Sequence, residues 1–146
     1  ASEIVGAEGE NQGIIAQAAG RAYGLVRVMR SVPLLAAKGR TYLAADALEA
    51  AGTTPADIFS GEAKPGLTAL LAAMREESLS ALEEARFHLH GEGMKGTGLD
   101  EAGQTAYLPL ALVEPYLAEL ARIKDPLHDI ARINPLYRLW RLVRAK

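Results

Sequence analysis

The sequence predicts an all-α protein. Apolar residues return at helical spacing over two long windows, start and stop signals for helices punctuate the stretch between them, and no segment alternates apolar and polar residues as a half-buried strand would. Nor is there an internal repeat.

Residues 1–12 hold Gly6, Gly9, Glu3, Glu8 and Glu10 and read as a flexible lead-in to a helical domain over 13–146. The first helix is expected over 13–32, where Ile14, Ala18, Ala22, Leu25, Val26 and Met29 fall on one face. Gln17, Gly20, Gly24, Arg27 and Ser31 form a second, small and polar stripe on the other side. For Gly20 and Gly24 the plain reading is that they let a neighbouring helix come close. Pro33 is expected to stop this helix, because proline lacks an N–H and its ring collides with the preceding turn.

An irregular turn over 33–43 leads to a short helix from Ala45 to Ala51, closed by Gly52. Thr54, Pro55 and Asp57 then supply an N-cap, an N1 proline and an acidic N3 residue, opening another short helix. Pro65 opens a long one. Leu67, Leu70, Leu71, Met74, Ala81, Leu82, Ala85 and Leu89 mark its buried face to about His88, and Glu76, Glu77, Glu83 and Glu84 mark its solvated side. Gly91 to Gly98 is a loop, and helix resumes near Asp100, interrupted by Pro109 and Pro115, as far as Lys124. Asn134 and Pro135 cap a last helix from Leu136 to Ala145. There Leu136, Leu139, Trp140 and Val143 share a stripe, with Arg138 and Arg141 opposite and Arg144 beside it. Such a basic amphipathic helix suits either its own core, the commoner use, or an anionic membrane or partner surface, for which Arg138, Trp140, Arg141 and Arg144 are the contact residues.

A chain of 146 residues fits one domain, and its 49% apolar content is ordinary for a globular protein. With no cysteine there is neither a disulfide framework nor a thiolate metal site, which fits a reducing compartment. No apolar run approaches the roughly 20 residues that span a bilayer, and the acidic start is unlike a signal peptide. The expected location is cytoplasmic, with a peripheral membrane contact open to it. The net charge of −2 conceals segregation, for residues 20–40 carry five bases and no acid, and the final 25 residues carry seven bases against two acids. These basic blocks point to anionic ligands or surfaces, and nucleic acid is not among the expected partners.

Several motifs do not bear function. Gly91, Gly93 and Gly96 spell GxGxxG, but after a helix where dinucleotide binding needs a strand. His88 and His90 diverge on a helix and His128 stands alone, so no metal site is expected from them. Ser31, Ser78 and Ser80 have no histidine arrangement to activate them, and no catalytic residue is assigned.

The segment from Ala22 to Leu48 resembles the second half of the squalene/phytoene synthase family. That family runs there as Tyr-Gln-x-x-Asn, then Arg-Asp-x-x-x-Asp, then Gly-Arg-x-Tyr-Leu-Pro-x-Asp-x-Leu. Tyr23, Arg30, Gly39, Arg40, Tyr42, Leu43, Asp46 and Leu48 match without a gap. Gly24, Arg27, Ser31, Leu35 and Ala44 stand where the family has glutamine, asparagine, two aspartates and proline. The resemblance implies the helical isoprenoid synthase fold and a cleft, lined by the stripe of Gln17, Gly20, Gly24, Arg27 and Ser31, in which magnesium holds a prenyl diphosphate. Magnesium needs hard oxygen ligands, which neither Ser31 nor Leu35 supplies as a carboxylate, so no cofactor is expected. The stretches YLPLALVEPYLAEL and INPLYRLWRLVR further resemble the degenerate branch that includes respiratory complex I assembly factors.

The resemblance thus implies a binding or assembly protein without prenyl transfer. Arg27, Arg30, Lys38 and Arg40 would bind an anion or a diphosphate-like group, and Tyr42 would donate a hydrogen bond. The alternatives are a fragment of an active head-to-head prenyl transferase and a plain helical interaction module. Only the family's second half is covered, so an apolar edge of helices 13–32 and 66–90 is expected to lack its covering layer, which favours self-association or a protein partner.

Overall fold

The computed structural model describes residues 2–90 and 107–144, with side chains from residue 12 and His90 excepted. Helix α1 runs Ser2–Ala36, α2 Ala45–Ala50, α3 Pro55–Phe59 and α4 Pro65–His90. A 3₁₀ turn, η1, covers Leu108–Leu112 and runs directly into α5, Val113–Arg122, before the last helix, α6, Pro135–Arg144. No strand occurs among the described residues, and none of their helices is long and apolar enough to cross a membrane. The loop expected over Gly91 to Gly98 and the expected resumption of helix near Asp100 lie outside the described residues.

Helices α1 and α4 form the frame and run antiparallel. Arg21 pairs with Glu84 at 2.6 Å, and the buried hydroxyl of Ser78 donates to the Ala22 carbonyl at 2.8 Å. Around these contacts Ala18, Ala22, Val26 and Met29 join Leu71, Ala81, Leu82 and Ala85 in one core that also takes in Leu110, Val113, Tyr116, Leu117 and Leu120. Each large apolar side chain so buried contributes about 1.5–3 kcal/mol. The exposed Arg21–Glu84 pair contributes at most about 1 kcal/mol. Packing therefore sets the frame, and the ion pair trims its register.

Three expectations about α1 are corrected. Its backbone is helical from Ser2, so residues 2–12 continue the helix where a lead-in was expected. Ile15 is fully buried and Ile14 is exposed, because the buried stripe is centred on Ile15, Ala18, Ala22, Val26 and Met29. Pro33 does not end the helix. The proline loses the bond from its own nitrogen and crowds the preceding turn, yet its carbonyl still accepts from Ala37 while Val32 and Ala36 stay buried.

What ends α1 is Gly39. Its φ of +64° is reached without strain only by glycine, and it lets Gly39 N–H bond Ala36 O and Arg40 N–H bond Leu35 O, a Schellman closure. Gly52 closes α2 in the same manner. At α3 the expected capping box is present: Thr54 Oγ1 accepts from Asp57 N–H, and Asp57 Oδ2 accepts from Thr54 N–H. Lys64 lies 2.8 Å from Asp57, and this hydrogen bond first, then those from Thr54, lowers the Asp57 pKa from 3.8 to about 2. At the start of α4, Gly66 sits against the α2 exit so closely that a Cβ there would lie 1.7 Å from the Ala51 carbonyl oxygen. Only a residue without a side chain allows α2 and α4 to meet.

The apolar edge expected on α1 and α4 is mostly covered by the packing of the two helices on each other and on α5. Among the described side chains of the two helices, the large exposed apolar residues are Ile14 and Phe87 towards one end, Leu79 near the middle and Leu34 towards the other end. Among the described residues, the continuous apolar exposure lies on α6.

Candidate functional site

The last turns of α1 and the segment after Gly39 enclose an open hollow of about 440 Å³ lined by Gly24, Arg27, Val28, Arg30, Ser31, Leu34 and Tyr42. Arg27 and Arg30 are three residues apart, so the helix puts both on one side. Tyr42 arrives from the other direction. The Gly39 turn reverses the chain, Leu43 N–H donates to Thr41 Oγ1 at 3.0 Å, and the buried Leu43 anchors this segment, leaving the exposed ring of Tyr42 at the rim.

Of the predicted anion binders, Arg27, Arg30 and Tyr42 are brought together. Lys38 and Arg40 are exposed and do not line the hollow. Both sit in the turn that closes α1, where their backbone N–H groups bond Leu35 O. Among the other positions matched by the resemblance, Tyr23 packs against the core, and Asp46 accepts from Ala47 N–H in the first turn of α2.

Gly20 and Gly24 do not serve close helix packing as expected. A Cβ at either would meet nothing within 4 Å, and Gly24 instead leaves room in the hollow.

Neither arginine of the hollow forms an ion pair among the described residues. Arg30 is partly buried, with its guanidinium carbon 3.7 Å above the centre of the Tyr116 ring on α5 and its buried Nε without a hydrogen-bond partner. A desolvated cation over an aromatic face gains about 2 kcal/mol, and an unpaired buried donor costs about 1–3 kcal/mol. The ring therefore supports the charge without using its donors. Tyr116 was not singled out in the sequence, since its place beneath Arg30 depends on how α5 packs against α1.

Magnesium, which the resemblance implies, finds no fit at the two degenerate positions. Ser31 Oγ donates to Val28 O at 2.7 Å, turned back onto its own helix, and Leu35 has no side-chain oxygen. Among the described residues no three of His, Asp or Glu converge to hold a metal ion. His128 pairs with Asp125 at 2.8 Å in the turn after α5, and the ring of His88 meets Phe87 edge-on.

The C-terminal helix does not dock its apolar stripe on the domain, as the commoner use of such a helix would have it. None of its residues is buried; Leu136, Leu139, Trp140 and Val143 are 77%, 60%, 48% and 64% exposed. It leans on η1 and α5 by its opposite side, through the half-buried Leu142 and through Arg141, whose Nε donates to Ala111 O at 3.1 Å and whose guanidinium lies 3.2 Å from Glu114. Arg141 is thus a structural clamp and does not stand free on the surface with Arg138 and Arg144. Glu114 also receives Arg86 at 3.0 Å, and these hydrogen bonds, that of Arg86 first, hold its carboxyl below the usual range.

A family model described as squalene/phytoene synthase matches residues 1–141. No curated protein and no solved structure matches the chain.

Proposed function

The chain belongs to the squalene/phytoene synthase family and is built on its all-helical isoprenoid synthase fold, and from that premise we propose that it is a non-catalytic member, a binding or assembly protein that holds an anionic, diphosphate-like group without metal. The observation that carries this reading is the pair of unpaired arginines, Arg27 and Arg30, facing one hollow, with Arg30 Nε buried and its donors unused. An oxyanion in the hollow would supply acceptors to the guanidinium N–H groups that face it. Guanidinium groups bind phosphate oxygens in parallel pairs, and Tyr42 at the rim adds a hydroxyl donor. The loss of carboxylates at Ser31 and Leu35 supports metal-free binding, because what the ion would neutralise is left to the arginines.

The test is a calorimetric titration of inorganic diphosphate with and without magnesium, paired with an assay of diphosphate release from a prenyl diphosphate. Binding should need no magnesium. A charge-assisted hydrogen bond contributes about 1.5–3 kcal/mol, so Arg30→Ala should weaken affinity by roughly 10- to 150-fold. Arg40→Ala and Lys38→Ala should change it little. Magnesium-dependent release above a heat-killed control would replace this reading with an active prenyl transferase.

A further inference from the structure

Helix α6 carries a second surface, separate from the hollow. Leu136, Leu139, Trp140 and Val143 form one exposed stripe along it, widened by Tyr137, whose ring stacks on Trp140 with centroids 5.7 Å apart. The helix has three arginines and no acid. Arg144 borders the stripe, its guanidinium carbon 4.8 Å above the Trp140 ring, and neither it nor Arg138 has an ion pair among the described residues. Arg141 is spent inward on Glu114 and Ala111, which fixes the rotation of the helix and keeps the apolar stripe facing out.

We propose that α6 lies flat on an anionic lipid bilayer, with Leu136, Leu139, Trp140 and Val143 in the acyl boundary and the exposed Arg138 and Arg144 supplying charge to the headgroups. Charge complementarity selects this occupant. An acid-free cationic helix is drawn to an anionic surface, whereas α6 of a second copy laid on the same stripe would bring no acid to meet Arg144. Shape agrees, because the stripe is the convex side of one helix and enters a fluid interface without needing a groove. The aromatic pair agrees too, since tryptophan and tyrosine favour the boundary between headgroup and hydrocarbon.

The chain has one tryptophan, so Trp140 fluorescence reports on this helix alone. The full chain is mixed with vesicles of phosphatidylglycerol in phosphatidylcholine, or of phosphatidylcholine only, and emission and co-sedimentation are measured at low and high salt. The anionic vesicles should shift the emission to the blue and pull the protein down, and salt should weaken both. Arg144→Gln should lower the partition constant about fivefold. Leu139→Ser with Val143→Ser should abolish binding while circular dichroism stays unchanged, because neither side chain is buried. Absence of binding to anionic vesicles at low salt, or equal binding to pure phosphatidylcholine, would overturn the proposal. So would a lipid-free blue shift that grows with protein concentration alongside dimer formation in sedimentation, which would assign the stripe to a second copy.

Discussion

The guanidinium of Arg30 lies 3.7 Å above the ring of Tyr116, joining the cationic wall of the hollow to the core face of α5. Tyr116 is 5% exposed, so its ring is both a core element and a platform for the charge. Tyr116→Phe keeps the ring and should change stability and diphosphate affinity little. Tyr116→Ala should cost about 3–5 kcal/mol in urea unfolding, as for other large aromatic truncations. Equal anion affinity in the folded fraction of Tyr116→Leu and in wild type would show that the ring does not position Arg30.

The close approach at Gly66 makes a sharp stability test. A Cβ at 1.7 Å from Ala51 O overlaps the Ala51 backbone, so Gly66→Ala must push the end of α2 away from α4. Overpacking of this kind costs about 1–3 kcal/mol or more. Chemical denaturation should report it as a lower midpoint. Gly24→Ala, with open space around it, should instead gain up to about 1 kcal/mol from helix propensity and narrow the hollow.

Ser78 tests the seam between α1 and α4. Removing its hydroxyl by Ser78→Ala deletes one hydrogen bond but leaves Ala22 O in a helical carbonyl position, so the expected loss is about 1 kcal/mol. Ser78→Leu forces bulk into a fully buried site and should destabilise further. If the larger residue were tolerated as well as alanine, the two helices would not be as closely packed as their shared core implies.

Acid should loosen the α3 cap. The Asp57 pKa falls from 3.8 to about 2 on folding, so its stabilising effect is fully present above the unfolded value and is lost as pH drops through the folded one. NMR titration of the Asp57 carboxyl should give a midpoint near 2, and Lys64→Met should raise it towards the ordinary value. Glu114, lowered by Arg86 and Arg141, follows the same sign.

The sequence by itself determined the helical class, the α3 capping box, the proline and asparagine that open α6, and most of the buried face of α4. These are local matters, set by spacing and by side chains that bond within a few residues of their own position. It also placed Arg27, Arg30 and Tyr42 as candidates, through the resemblance carried by Tyr23 to Leu48. Only the tertiary structure decided that Arg40 and Lys38 stay out of the hollow, because both belong to the turn that closes α1, their backbone N–H groups bonding back to Leu35 O on either side of the left-handed Gly39. The persistence of α1 past Pro33 was likewise decided by packing, since burial of Val32 and Ala36 outweighs one missing hydrogen bond. The fate of α6 could not be read from its pattern, as an amphipathic helix looks alike whether its stripe is buried or free. Arg141 settled it, by finding Glu114 and Ala111 on the side opposite the apolar residues.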